Sequence, residues 1–588
     1  MNLMPYFVTF AFKIINNIPE ILMTLNRGEE FKTYLTNHNT AVISAVNKLS
    51  DENIVTRIWN KDYTVWSQSP EEISNRLGWL DGPSVMLKAI DEINDFVQEI
   101  RGAGFKNALL LGMGGSSLAP EVFRLTFGVR ESFLDLAVLD STHPEAVKSM
   151  AEKFNPKETL YIVSTKSGGT VETVSFMKYF FTYAKSKIGE HTPKHFIAIT
   201  DPGSGLQKMA EDLKFRKIFL NDPNIGGRFS ALSYFGLLPA ALIGVNLSNL
   251  VDRAQKAAET SKIDSAEEIE KNTAATLGVI LGELANAGID KVTFITSPQI
   301  KYFGAWLEQL IAESTGKIGK GILPVDLETI LESKYYSKDR IFVYLRLKND
   351  FSNTENFTLM REAKIPCVEI VLDDIYDLGA EFFNWEFATS IASWVTGITP
   401  FDQPNVEQAK IIGRQKMKDY TEKGELPESK PDLVFNNFKL FGNVSGSNVK
   451  EVIDNFVTSN LKDGSYVSIQ AYINPDAETT AHLQSFRTSN QKKYMVATTL
   501  GYGPRFLHST GQLHKGDAGL GIFIQITGGK KFDVAVPDEA GSEKSSFSFG
   551  VLIDAQAMGD MQALIDNKRN VLRIHIGTDV KNNLKELI

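Results

Sequence analysis

Cysteine is almost missing. One residue, Cys367, stands among 588, so no disulfide forms within the chain and a cysteine-based zinc site is excluded. It lies in Ile365-Pro366-Cys367-Val368-Glu369-Ile370, which reads as a buried strand in which free cysteine acts as a small core hydrophobe. No stretch reaches the ~18 consecutive apolar residues of a membrane span. Met1 to Phe12 is apolar and Lys13 interrupts it, but the basic n-region and small-residue cleavage site of a signal peptide are absent. Positive charge is short as well: the formal net charge is −9, and an acidic chain repels nucleic-acid phosphates. These shortages lead us to expect a cytoplasmic protein with no membrane and no nucleic-acid partner. An anionic substrate would have to be held by local donors.

Apolar material is ample. Hydrophobic residues make up 43% and charged residues 23%, enough to bury several cores, and the length implies three or four domains. Residues 1–100 read as helical. A rhythm of short apolar runs separated by helical patterns follows. Asn107–Leu111, Phe133–Leu139, Thr159–Val163, His195–Ile199 and Ile218–Leu220 read as strands, and Thr173–Ile188 as a helix. Such alternation means a parallel sheet covered on both faces. It resumes with Val292–Ile295, Ile341–Leu345 and Cys367–Leu372. Gly424–Asp432, with two prolines and several charges, reads as a linker. Beyond it, Tyr466–Ile473, Lys493–Thr498, Gly521–Ile526 and Val571–Ile576 read as the strands of a third unit.

Two segments can hold a phosphate. Leu109 to Leu118 runs from a strand through Gly112-Met113-Gly114-Gly115-Ser116-Ser117 into a helix. Glycines let a ligand approach the backbone, and a helix N-terminus presents free N–H groups and positive dipole to an anion. Ser164-Thr165-Lys166-Ser167-Gly168-Gly169-Thr170-Val171-Glu172-Thr173 repeats the design with four hydroxyls and an ammonium before the helix. Neither segment is a P-loop or a dinucleotide fingerprint. A glycine turn with a capping serine, or a solvated lysine, is the plain alternative for each, and two such loops on neighbouring strands weigh against it.

Three further segments can carry chemistry. Asn224-Ile225-Gly226-Gly227-Arg228-Phe229-Ser230 offers a guanidinium to a developing oxyanion. Glu313, in Ala312-Glu313-Ser314-Thr315-Gly316-Lys317, closes the helix that holds Trp306 and Gln309. The dipole disfavours a carboxylate at a helix C-terminus, which suits a general base. Phe401-Asp402-Gln403-Pro404-Asn405-Val406-Glu407-Gln408-Ala409-Lys410 runs from a turn into a helix, and its spacing of two helical turns places Gln403 and Lys410 towards one cleft. An ion-paired arginine, a surface glutamate and a solvated lysine are the ordinary readings of these residues taken singly.

Together the five segments, in this order, resemble the glucose-6-phosphate isomerase family over residues 100–415. The resemblance implies α/β architecture: two sugar isomerase (SIS) type three-layer α/β/α domains with parallel sheets at 101–265 and 266–424. An N-terminal helical segment (1–100) and a smaller C-terminal α/β unit (433–588) flank them. It implies a cofactor-free, metal-free aldose–ketose isomerase of glycolysis and gluconeogenesis acting on a sugar phosphate. Ser116, Thr165, Lys166, Ser167 and Thr170 then look like phosphate ligands, with Gly227, Gln309 and Gln403 also at the substrate. Glu313 looks like the base that moves the proton between C2 and C1. Arg228 looks like the stabiliser of the enediolate, and Lys410 looks placed for ring opening.

The chain departs from the family at one point. The ring-opening histidine usually follows the Glu-Ser-x-Gly-Lys run closely, yet no histidine lies between His195 and His482. The matching run is Leu507-His508-Ser509-Thr510-Gly511-Gln512, in the third unit, so that unit is expected to fold back and deliver His508, with His514 as its rival. This resembles the isomerase half of bifunctional transaldolase–glucose-6-phosphate isomerases. A transaldolase barrel needs roughly 200 residues or more, so no transaldolase activity is expected. Family members are commonly dimers and an in-chain His508 relaxes that need, so monomer and homodimer both stay open. A non-catalytic sugar-phosphate sensor and an isomerase that also accepts mannose 6-phosphate are the alternative functions. Glucosamine-6-phosphate synthase is disfavoured, since it needs an N-terminal cysteine.

Overall fold

A computed structural model describes residues 30–588 except 266–267 and 428–429. Expectations for the first ~25 residues lie outside the described residues. The segment up to residue 100 contains the helices Asn39–Asp51, Ile54–Trp59 and Gly82–Gly102, but its described part begins with a strand, β1 (Phe31–Tyr34), which corrects the all-helical reading. Phe31-Lys32-Thr33-Tyr34 alternates buried and half-buried side chains, a period-2 pattern that becomes a strand once a sheet edge is available to pair with.

The first parallel sheet holds β2 (Asn107–Gly112), β3 (Asp135–Leu139), β4 (Thr159–Ser164), β5 (Phe196–Thr200) and β6 (Lys217–Leu220), in the order β3-β2-β4-β5-β6. The second holds β7 (Lys291–Thr296), β8 (Leu323–Val325), β9 (Arg340–Leu347) and β10 (Cys367–Leu372), with β1 antiparallel on the β10 edge. Pro324 removes a backbone donor from β8, which is tolerated because β8 is an edge strand. One continuous apolar core lies between these sheets. It takes Leu110 and Ile162 from the first, Val343 and Val368 from the second, and Ile93 and Phe96 from Gly82–Gly102.

The third unit contains β11 (Leu433–Phe435), β12 (Phe438–Phe441), β13 (Tyr466–Tyr472), β14 (Ala497–Tyr502), β15 (Gly521–Thr527), the short pair β16 (Ala535–Val536) and β17 (Phe547–Ser548), and β18 (Asn570–His575). Its sheet runs β11-β12-β18-β15-β13-β14. β14 starts later than the expected Lys493–Thr498, because the helix Ala477–Tyr494 continues until Met495 closes it in the left-handed conformation (φ 54°).

The third unit does not stand apart. Val536, Phe549 and Leu552 join the core on the outer face of the first sheet, each full burial being worth about 1.5–3 kcal/mol. The helix Phe549–Asp566 packs along the helix Val406–Lys423. Among the described residues, no helix is long and apolar enough to cross a membrane.

Candidate active site

In the first sheet the chain order changes direction between β2 and β4. Crevices open at the carboxyl ends of strands at such a switch point, because the connections leave towards opposite faces. The loops after these two strands are the two glycine- and hydroxyl-rich segments.

After β2, Gly114 takes φ +54° and a 3-10 turn, Gly114–Ser116, leads into the helix Leu118–Phe127. A Cβ on Gly115 would collide with the carbonyl of Gly227, so only glycine lets the Gly227–Phe229 turn approach. After β4, Thr165 Oγ1 and Thr170 Oγ1 are 3.2 Å apart and Gly169 N–H donates to Ser167 Oγ at 3.2 Å. The helix Val171–Ile188 follows. Neither Ser117 nor Thr170 caps its own helix through its side chain. First-turn N–H groups are thereby left for an anion at both loops.

Lys166 differs from the other expected phosphate ligands. Its ammonium is engaged by Asp201 and the carbonyl of Pro223, the latter at 2.8 Å. Burial raises the Asp201 carboxyl even with Lys166 beside it.

Glu313 lies near the end of the helix Phe303–Thr315. Gln309, one turn earlier on the same face, donates Nε2 to Glu313 Oε2 at 3.2 Å and to the carbonyl of His508 at 2.8 Å. Its buried Oε1 has no partner among the described residues. Arg228 Nη1 is 3.7 Å from Glu313 Oε2. The guanidinium also donates to Ser314 Oγ (2.8 Å), Gln403 Oε1 (2.9 Å) and the carbonyls of Asp402 (3.1 Å) and Pro400. Burial pulls Arg228 below its ordinary pKa, against the pull of Glu313 and Asp402.

Lys317 donates to Asp402 Oδ1 at 2.8 Å and to the carbonyl of Thr399 at 2.6 Å. Burial, helped by Arg228, brings it down to about 7. Arg228 and Lys317 together clamp the segment 399–403 to the Glu313 helix.

Gln403 precedes the helix Val406–Lys423, so it does not share a helical face with Lys410; this corrects the spacing argument. Gln403 goes to Arg228, whereas Lys410 lines a cavity of about 460 Å³ with Ser167, Thr170, Glu172 and His508.

His508 reaches this cavity from the third unit. Its Nε2 is 3.0 Å from Glu172 Oε1, and its carbonyl would lie 2.9 Å from a Cβ on Gly114. His514 is buried elsewhere, 3.3 Å from Gln470 Nε2, and burial holds it well below the usual histidine pKa.

Two groups here carry no sequence-level assignment. Glu172, inside the second loop motif, accepts from Gln556 Nε2 at 2.7 Å as well as meeting His508. As a first-turn carboxylate it is favoured by the helix dipole; that position was the available signal. Gln556 has no sequence signal at all. Among the described residues, no group of three or more histidine, cysteine, aspartate or glutamate side chains could hold a metal ion.

The chain is similar to known proteins in sequence and in fold. The family model described as phosphoglucose isomerase matches residues 67–329. A glucose-6-phosphate isomerase of Campylobacter jejuni is 28% identical over 381 residues, covering 58% of this chain and 91% of the relative. A probable glucose-6-phosphate isomerase of Methanococcus maripaludis is 30% identical over 388 residues, covering 59% and 85%. A crystal structure of a glucose-6-phosphate isomerase from Chlamydia trachomatis superimposes with TM-score 0.57 at 17% identity, over 67% of this chain and 89% of that one. One of a hypothetical protein from Thermus thermophilus gives 0.55 at 23% identity, over 66% and 99%. At these identities the two structures speak for the fold alone.

Proposed function

Since the chain belongs to the glucose-6-phosphate isomerase family, we infer that it interconverts glucose 6-phosphate and fructose 6-phosphate by an intramolecular proton transfer. The observation that carries this reading is the meeting of Glu313, Arg228, Gln309 and the His508–Glu172 pair beside the two switch-point loops. Uncapped N–H groups and the hydroxyls of Ser116, Thr165, Ser167 and Thr170 receive the phosphate. Lys166 would join them only by leaving Asp201. The phosphate is remote from the reacting carbons, so its binding free energy serves to orient them.

Ring opening comes first. His508 gives a proton to the ring oxygen as the C1–O5 bond breaks and C1=O forms, and the proton released from the O1 hydroxyl returns through solvent to the imidazole. Lys410, on the same cavity wall, faces the hemiacetal hydroxyl. The Glu313 carboxylate then takes the C2 proton, C1=O becomes an enediolate oxygen, and Arg228 stabilises its charge at fixed distance in a buried setting. The O2 proton passes to O1, and the Glu313 acid returns its proton to C1, leaving the ketone at C2. Gln309 Oε1 and Gln403 accept from sugar hydroxyls. The carriage of His508 in a C-terminal unit is what we read as likeness to the isomerase half of bifunctional transaldolase–isomerases. The division into residues 101–265, 266–424 and 433–588 belongs to the same reading. So does a cytoplasmic location, with which the buried, unpaired Cys367 is compatible.

Glu313→Gln tests the assignment. Conversion of fructose 6-phosphate and solvent deuterium entry at C2 should both fall at least ~1,000-fold while substrate still binds. Retained turnover would remove Glu313 from the role of base.

A further inference from the structure

We propose that Arg505 and Asp140 form a positioning pair that ties the ring-opening His508 to the phosphate loop at Ser116–Ser117. The proposal rests on the isomerase reading above.

Arg505 and His508 are the first and last residues of a single 3-10 turn. Side chains three apart on such a turn eclipse one another, so the two leave the third unit in the same direction. His508 goes to Glu172 at the start of the helix after β4. Arg505 goes to Asp140, directly after β3, with Nε 2.9 Å from Oδ2. The Nε–H is not aligned on that oxygen, so the attraction is one of charge. It acts in a setting where the Asp140 side chain is only 13% exposed and water screens little.

Asp140 also meets the first loop. Ser117 Oγ lies 3.4 Å from the same Oδ2 and donates to the carbonyl of Gly114 at 3.1 Å. Gly114 in turn is the residue over which the His508 carbonyl sits. A closed path therefore runs Ser117–Asp140–Arg505–His508–Gly114. An anion that orders the loop at Ser116–Ser117 orders the frame that carries the imidazole.

General docking of the third unit does not need this pair. Gln512 Nε2 donates to the carbonyl of Gly316 (2.9 Å) and to Asn405 Oδ1 (2.7 Å). Arg487 donates to the carbonyl of Asp326 (2.8 Å), and Glu328 accepts from the backbone of Thr498 (2.9 Å). All four contacts reach the second sheet and its neighbours. Arg505 is engaged instead with the first sheet, at the loops where phosphate binds.

The test separates ring opening from proton transfer. 5-Deoxyfructose 6-phosphate lacks the hydroxyl that closes the furanose ring, so its turnover needs Glu313 but no ring opening. Arg505→Met should lower kcat on fructose 6-phosphate ~10- to 100-fold, with KM within about threefold and turnover of the deoxy analogue near wild type. Arg505→Lys should recover part of the loss, and Asp140→Asn, which keeps the shape, should repeat the Arg505→Met pattern. An equal loss on both substrates, or no loss on either, would overturn the proposal. If the wild-type protein turned over neither substrate, the isomerase reading would fail instead.

Discussion

His508 Nε2 stands 3.0 Å from Glu172 Oε1 although 336 residues separate them. Burial pushes the Glu172 carboxyl up, but the charge and hydrogen bond of His508 outweigh it, and the carboxyl ends below the ordinary glutamate value of 4.5. A depressed carboxyl stabilises the fold fully above pH 4.5, and that stabilisation is lost as pH falls through the folded value. Glu172→Gln should therefore flatten the acid-side fall of Tm below pH 4.5. It should also lower kcat ~10- to 100-fold by freeing the imidazole. Thermal scans from pH 3 to 6, with steady-state kinetics at neutral pH, check both.

Arg228 makes four hydrogen bonds in four directions and keeps a guanidinium nitrogen 3.7 Å from Glu313. A lysine keeps the charge but cannot span those acceptors. Arg228→Lys should lower kcat ~100- to 1,000-fold and loosen the 399–403 segment. Faster amide exchange at 399–403 would show the second effect; near-normal kcat would mean that charge alone suffices.

Lys317 is poised to change charge near neutral pH. Its two hydrogen bonds favour the ammonium, yet burial and Arg228 bring it down to about 7. Between that value and its unfolded value near 10.5, the unfolded chain binds the extra proton, so stability rises with pH across the interval. The Tm of the wild type relative to Lys317→Met should accordingly increase from pH 7 to pH 9. A gap that is constant, or that shrinks, would show that Asp402 keeps the ammonium fully charged.

A methyl group at Gly115 has nowhere to go, because Gly227 closes on it. Gly115→Ala should push the first phosphate loop away from the Arg228 turn, costing about 1–3 kcal/mol and well over tenfold in kcat/KM. Unchanged affinity for inorganic phosphate in this variant would count against a phosphate site at Ser116.

Much of the fold was legible because its signals are local. Short apolar runs ending in glycine and serine mark β2 and β4, and Thr173–Ile188 lies within the helix Val171–Ile188. What escaped was set by remote partners. β1 is a strand because β10 presents an edge. β14 begins at Ala497 because the preceding helix runs to Tyr494. The helical spacing read between Gln403 and Lys410 fails because the helix starts only at Val406. Asp140 carries no motif beyond its place at a strand end.

The sequence by itself determined the chemistry on offer: two hydroxyl-rich glycine loops, a carboxylate near a helix end, an arginine after paired glycines, and a histidine displaced far down the chain. Tertiary structure decided which of these meet. A side chain's neighbours across 336 residues depend on how the sheets stack and where the third unit seats its helices. Local propensity carries no record of those long-range contacts.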